Sequence, residues 1–263
     1  MFHEVVFPFV RGQPLRHRVL ALVTRLMALI AVRGAREVFV SIPAWAGFLR
    51  PLGATRPAPV WLPVPSNLPV TVAAEAVASA RGRMAANGKT SILGHFGTYG
   101  PHQRETLTSV LPRLLSRNGD CIALLLGRGS EQFAGEVTGN FATLNGRVHA
   151  TGELPPEQLA AYLAACDVLV QPYPDGVSSR RTTVMAGLAL GLPIVTTEGF
   201  LTEPIWRETK AVELAPATSP DKLAASAEAL LADPLRRVEL GARAKSAYAT
   251  AFAVERTIEK LRS

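Results

Sequence analysis

Cysteine is scarce in this chain: Cys121 and Cys166 are the two among 263 residues. They stand at or beside expected strand starts, without metal-ligand spacing. They read as small packed hydrophobes in a reducing compartment, not as a disulfide framework. Aromatic residues make up 6%, and no basic run interleaves with them as a stacking platform would need, which argues against nucleic acid as a partner. The longest apolar helical run, residues 19–32, is interrupted by Arg25 and is too short to span a bilayer. Glu4 precedes any long apolar stretch, so no signal peptide is expected. Asp-x-Asp, a His/Cys/carboxylate cluster and Gly-x-Ser-x-Gly are all missing from the sequence. The expectation is therefore no bound metal, no cofactor and no serine-hydrolase chemistry.

What is present is a globular composition, 48% hydrophobic and 19% charged, with a net charge of +7. That charge favours anionic partners such as phosphorylated metabolites or an anionic lipid surface. Short apolar strands alternate with helical segments, as in a parallel α/β protein. Residues 15–33 form an amphipathic helix that carries Arg16, His17, Arg18, Arg25 and Arg33. A buried domain helix is the first reading, and a basic-rimmed helix resting on anionic membrane is the alternative. The chain is expected to be cytoplasmic, soluble or peripheral at the inner face of a membrane. A strand-like opening, MFHEVVFPFV, begins without a preceding cap or turn, and suggests a missing upstream segment. The chain divides near Asn87 into a partial N-terminal unit (1–87), a doubly wound Rossmann-like domain (88–250) and a C-terminal helix packing back on the first unit (251–263).

Residues 167–197 carry the clearest chemistry. DVLVQ reads as a buried strand, PYPDG as a turn, and a helix follows with Ser178 or Ser179 as its N-cap. A loop leaving a parallel strand into a helix N-terminus is suited to an anion. Arg180 and Arg181 add two charges there, at an unfavourable helix end, so a negative group should offset them. Across from Ser178, Ser179, Arg180, Arg181 and Thr182, the loop Gly97, Thr98, Tyr99 and Gly100 after an earlier strand makes a phosphate cradle. Gly88-Lys89-Thr90 fails as a P-loop, because Arg83 stands where its first glycine belongs and a strand follows. His95 and His102 read as polar loop residues, and His149 as a strand side chain.

The ordered series SILGHFG, ALLLGRG, RVHATGELPPEQLAAYLAACDVLVQPYPDG and MAGLALGLPIVTTEG resembles the donor-binding domain of retaining GT-B glycosyltransferases, family 4 or group 1. MFHEV, VFVSIPAWAGFLRPLG and VWLPVPSNL resemble segments of that family's N-terminal domain. The resemblance implies an α/β GT-B-like fold: one complete Rossmann-like C-terminal domain and a partial N-terminal one lacking part of its acceptor cleft. It implies a retaining, metal-independent hexosyltransferase using a nucleotide-diphosphate sugar. The acceptor is an unspecified sugar, lipid or polysaccharide, which points to polysaccharide biosynthesis. It places His3 near the transferred sugar as the catalytic residue, Gly97 and Thr98 at the donor diphosphate, Gly127 and Arg128 at the nucleoside, and Gly152, Glu153 and Leu154 at the base. The family's two glutamates fall on Ser178 and Ala186, and its usual Arg and Lys on His95 and Pro101; Arg180 and Arg181 are expected to supply the charge. The residues themselves leave His3 open as a strand-end side chain and Arg128 as a surface charge. A non-catalytic or truncated nucleotide-sugar-binding module is the alternative function.

Overall fold

The structure, a computed structural model, describes residues 1–5, 12–53, 58–85 and 89–262. The expected boundary at Asn87 and the second half of the strand-like opening lie outside them.

In the first unit, α1 (Leu15–Gly34) leads to β1 (Phe39–Val40), α2 (Ala44–Leu49), a 3-10 turn and β2 (Val60–Trp61). β1 and β2 pair in parallel with Phe39 opposite Val60, and Phe2 bridges Val40 in parallel. The core here is small, built on Val5, Ala28, Val32, Val38, Val40 and Leu49. The buried-helix reading of residues 15–33 is corrected: only Ala21, Ala28 and Val32 of α1 are buried. Leu15, Val19, Leu22, Leu26, Met27 and Ile30 are exposed, because the small core covers a narrow stripe of the helix. Among the described residues no helix is long and apolar enough to cross a membrane.

After α3 (Ala74–Met84), the second unit is a six-stranded parallel sheet. Its strands are β3 (Ser91–Phe96), β4 (Cys121–Leu126), β5 (Val148–Ala150), β6 (Val168–Gln171), β7 (Ile194–Glu198) and β8 (Glu213–Pro216). Their order is β5-β4-β3-β6-β7-β8. The chain moves outward from β3 to β5, then returns to lay β6 on the other side of β3, which is the doubly wound pattern. Both faces are covered, so β4 is buried at all six positions and its sequence, CIALLL, is a continuous apolar run.

The crossovers are α4 (Pro101–Arg117), α5 (Ser130–Asn140), α6 (Pro156–Ala164), α7 (Thr182–Ala189) and α8 (Pro204–Thr209); α9 (Pro220–Ala232) and α10 (Pro234–Ala247) follow the last strand. Proline sits in the first turn of α4, α6, α8, α9 and α10, where its missing N–H costs no helical bond. Pro101 thus opens α4 directly after Gly100. One core layer gathers Leu124, Leu169, Ile194 and Trp206, the other Leu93, Leu111, Leu125 and Val170. Both cysteines are buried and unpaired with one another. The last helix, α11 (Val254–Arg262), returns to the first unit, where Lys260 donates to the Trp61 carbonyl at 3.1 Å.

Candidate functional site

Between the carboxyl ends of β3 and β6 the strand order reverses, and there a cleft of about 550 Å³ opens. Gly97 and Thr98 line it from the loop after β3, Arg128 from the loop after β4, and Glu153 and Leu154 from the loop after β5. Arg180, Arg181 and Thr182 line the opposite side, where the first turn of α7 presents N–H groups that have no helical partner. These expected residues are brought together. Arg128 and Glu153 pair across the rim at 3.1 Å, both exposed.

Other expected residues sit behind the cleft. Tyr99 adopts φ 55 and turns its ring into the core beside Phe133, with its hydroxyl 3.2 Å from the carbonyls of His95 and Leu126. Burial pushes that hydroxyl well above its ordinary pKa. Gly100 occupies the N-cap position of α4. The Gly152 N–H donates to Ser130 Oγ at 3.0 Å, and its carbonyl accepts from the Gly127 N–H at 3.1 Å, tying two rim loops together. His3 is exposed and outside the cleft lining; its carbonyl accepts from Ser41 Oγ and Trp45 Nε1 at 3.1 and 2.7 Å. Ser178 and Ala186, at the two glutamate positions, are fully buried and do not line the cleft.

The expected serine cap is corrected. α7 begins at Thr182, Arg181 holds the N-cap position, and no side chain caps it. Ser179 is instead committed to a joint between the two units. Its hydroxyl accepts from Trp61 Nε1 at 3.0 Å, lies 2.8 Å from the Ser41 carbonyl and makes a short contact with Glu203 Oε1. The Ser179 N–H donates to both Glu203 oxygens at 3.0 and 3.1 Å, and Trp206 Nε1 donates to the same carboxylate at 2.6 Å. Burial raises the Glu203 pKa, while these hydrogen bonds draw it back. Val64 N–H completes the joint on the Ser179 carbonyl at 3.0 Å.

The negative group offsetting the arginines lies within the chain itself. Asp175 takes Arg180 at 2.5 Å and Arg181 on its second oxygen. Arg180 also meets Glu4 at 2.8 Å and lies over the Trp45 ring, and Arg181 lies over the Tyr173 ring. Gly176, at φ +87, holds Asp175 in place: a Cβ there would lie 2.3 Å from the Gly199 nitrogen. Asp175, Glu203 and Gln171 were missed by sequence reasoning. A turn residue, an isolated glutamate and a strand-end amide carry no local signal, and their partners come from distant segments. His95, expected in a loop, is a buried residue of β3 facing the cleft; a histidine within the apolar run SILGHF was the available signal.

A switch-point crevice that gathers arginines, a glycine-bearing loop and a helix N-terminus defines an α/β protein suited to a ligand with an anionic group. Residues 90–233 match the family described as "Glycosyl transferases group 1", and the chain belongs to that family. Solved structures share its GT-B fold. HepE (Alr3699) from Anabaena, in complex with UDP and glucose, is 16% identical with a TM-score of 0.71 over 90% of this chain and 65% of its own. Sucrose-phosphate synthase from Thermosynechococcus elongatus is 20% identical, with a TM-score of 0.71 over 96% of this chain and 62% of its own. WaaG, a glycosyltransferase involved in lipopolysaccharide biosynthesis, is 13% identical, with a TM-score of 0.73 over 96% and 68%. The chain thus spans about two thirds of the length of HepE and 62% of that of sucrose-phosphate synthase. No curated protein matches in sequence comparison.

Proposed function

We propose that the chain provides the donor side of a retaining, metal-independent family 4 glycosyltransferase that moves a hexose from a nucleotide-diphosphate sugar to an acceptor. The carrying observation is the cleft, where Arg180, Arg181, the first turn of α7 and the Gly97–Thr98 backbone converge. Fixed dipoles and charges of this kind stabilise a departing diphosphate without reorganisation. Glu153, the carboxylate among the described lining residues, is engaged by Arg128. That agrees with transfer in which the leaving phosphate, not a protein nucleophile, assists. In this reading the loops bearing Gly127, Gly152 and Leu154 hold the nucleoside, and Tyr99, Gly100, Ser178 and Ser179 shape the donor loops from behind. His3 meets the transferred sugar when the first unit closes over the cleft; its neighbour Glu4 already reaches Arg180.

The UDP and glucose bound by HepE support a nucleotide sugar as donor. A sugar, lipid or polysaccharide acceptor in cytoplasmic polysaccharide biosynthesis fits the involvement of WaaG in lipopolysaccharide biosynthesis. Exposed apolar residues of α1 beside Arg16, Arg18 and Arg25 favour peripheral contact with the inner face of a membrane. Calorimetric titration with UDP, GDP, ADP and UDP-glucose tests the reading, and an absence of binding by all four would sink it. His3→Ala should lower transfer while leaving nucleotide affinity unchanged.

A second reading, a non-catalytic nucleotide-sugar-binding module, is favoured by the burial of Ser178 and Ala186 away from the cleft. Binding without sugar release or transfer would select it.

A further inference from the structure

Two cleft side chains are left unused by the donor reading. Gln171, the last residue of β6, is fully buried, yet neither its Oε1 nor its Nε2 has a hydrogen-bond partner. His95, next to last in β3, is 3% exposed, and its Nε2 is likewise buried and unpartnered. Both line the cleft at the point where the strand order reverses.

The other ring nitrogen of His95 fixes its tautomer. Nδ1 lies 2.8 Å from the Val170 carbonyl oxygen, which can only accept, so Nδ1 carries the hydrogen. Burial lowers the pKa of the ring from 6.5 to about 4, so it is neutral at pH 7 and Nε2 offers a lone pair. Gly97 leaves room beside that atom, since a Cβ at position 97 would stand 3.1 Å from it. A lone pair repels a phosphate oxygen, and an amide brings no net charge. An acceptor beside a group that both donates and accepts is matched by hydroxyls, which do both. Buried polar atoms without partners destabilise the unliganded protein, and a ligand that supplies partners removes that cost.

We propose that His95 and Gln171 form a hydroxyl-reading subsite that takes sugar hydroxyls of the bound ligand and leaves its anionic group to the arginine side. The proposal rests on the nucleotide-sugar reading above, in which hydroxyls come from two sources, the ribose and the transferred sugar.

The test titrates the full chain and its Gln171→Leu variant by calorimetry with inorganic pyrophosphate, UDP, GDP, ADP, UDP-glucose and GDP-mannose. The variant should melt no lower than wild type and bind pyrophosphate within about twofold, because no charge is lost. Its affinity should fall about tenfold, as expected for one or two lost neutral hydrogen bonds. A fall already present with a nucleoside diphosphate identifies the ribose; a fall confined to a nucleotide sugar identifies the transferred sugar. Unchanged affinity throughout, or an equal loss with pyrophosphate, overturns the subsite while leaving the donor reading intact. Wild type that binds none of the nucleotides or nucleotide sugars overturns both. Gln171→Met is the second variant; a large loss of stability in both would make the amide a structural group and overturn the proposal.

Discussion

On the β3 side the cleft wall carries neutral His95, whose Nε2 is buried without a partner. Beyond Gln171, the loop after β6 is charged and fastened: Asp175 grips two arginines, and Ser179 is bound to Glu203, Trp61 and Ser41. Both walls are loops leaving parallel strands for helix N-termini, and the same topology serves two ends. One loop is held from behind by Tyr99 and left open in front. The other doubles as the seam between the two units, so its polar groups answer to the fold before they answer to any ligand.

The comparison breaks most visibly at Glu203. Glu203→Ala leaves the Ser179 N–H and Trp206 Nε1 buried without an acceptor, and should destabilise the protein by about 4 kcal/mol. A chemical-denaturation midpoint close to wild type would refute the seam.

His95 gives the next effect, through pH. Its folded pKa of about 4 lies below its ordinary 6.5, so the stability linked to the neutral ring is complete above pH 6.5 and is lost as pH falls toward 4. The loss approaches about 3 kcal/mol. His95→Asn should flatten that part of the pH–stability curve, and an unaltered slope would place the titration elsewhere.

Asp175→Asn sharpens the contrast from the charged side. Releasing both guanidinium groups from a carboxylate should raise affinity for inorganic pyrophosphate severalfold at low salt, with a stability cost of about 1–2 kcal/mol. Weaker pyrophosphate binding would mean that Asp175 positions the arginines more than it neutralises them.

The smallest change is expected far from either wall. Leu22→Gln with Leu26→Gln on exposed α1 should shift stability by about 0.5 kcal/mol or less. The same pair should weaken binding to anionic vesicles if that face meets a membrane.

Much of the sheet was legible because buried parallel strands must be apolar runs and their turns must contain residues that tolerate sharp backbone angles. DVLVQ, CIALLL and SILGHF carry the first signal, and the PYPDG, GRG and GTYG segments that follow them carry the second. The cap of α7 was not legible. A serine before a helix has a local partner by default, whereas Ser179 is claimed by Glu203, 24 residues further on, and by Ser41 and Trp61 in the other unit. The exposure of α1 was hidden for a related reason. An apolar helical stripe looks the same whether or not another layer covers it. The arginines fell between these cases: the need for a counter-charge was readable, but its identity as Asp175 required the loop to fold back.

The contact between Gly176 and Gly199 limits how this cleft can be redesigned. A Cβ on Gly176 would overlap the Gly199 backbone, and one on Gly199 would come within 2.6 Å of the Asp175 carbonyl carbon. Neither position can be substituted alone without spreading the two loops, and a substitution at both would compound the overlap. A library aimed at new ligand preference should therefore leave these two sites fixed and vary the side chains that the loops carry.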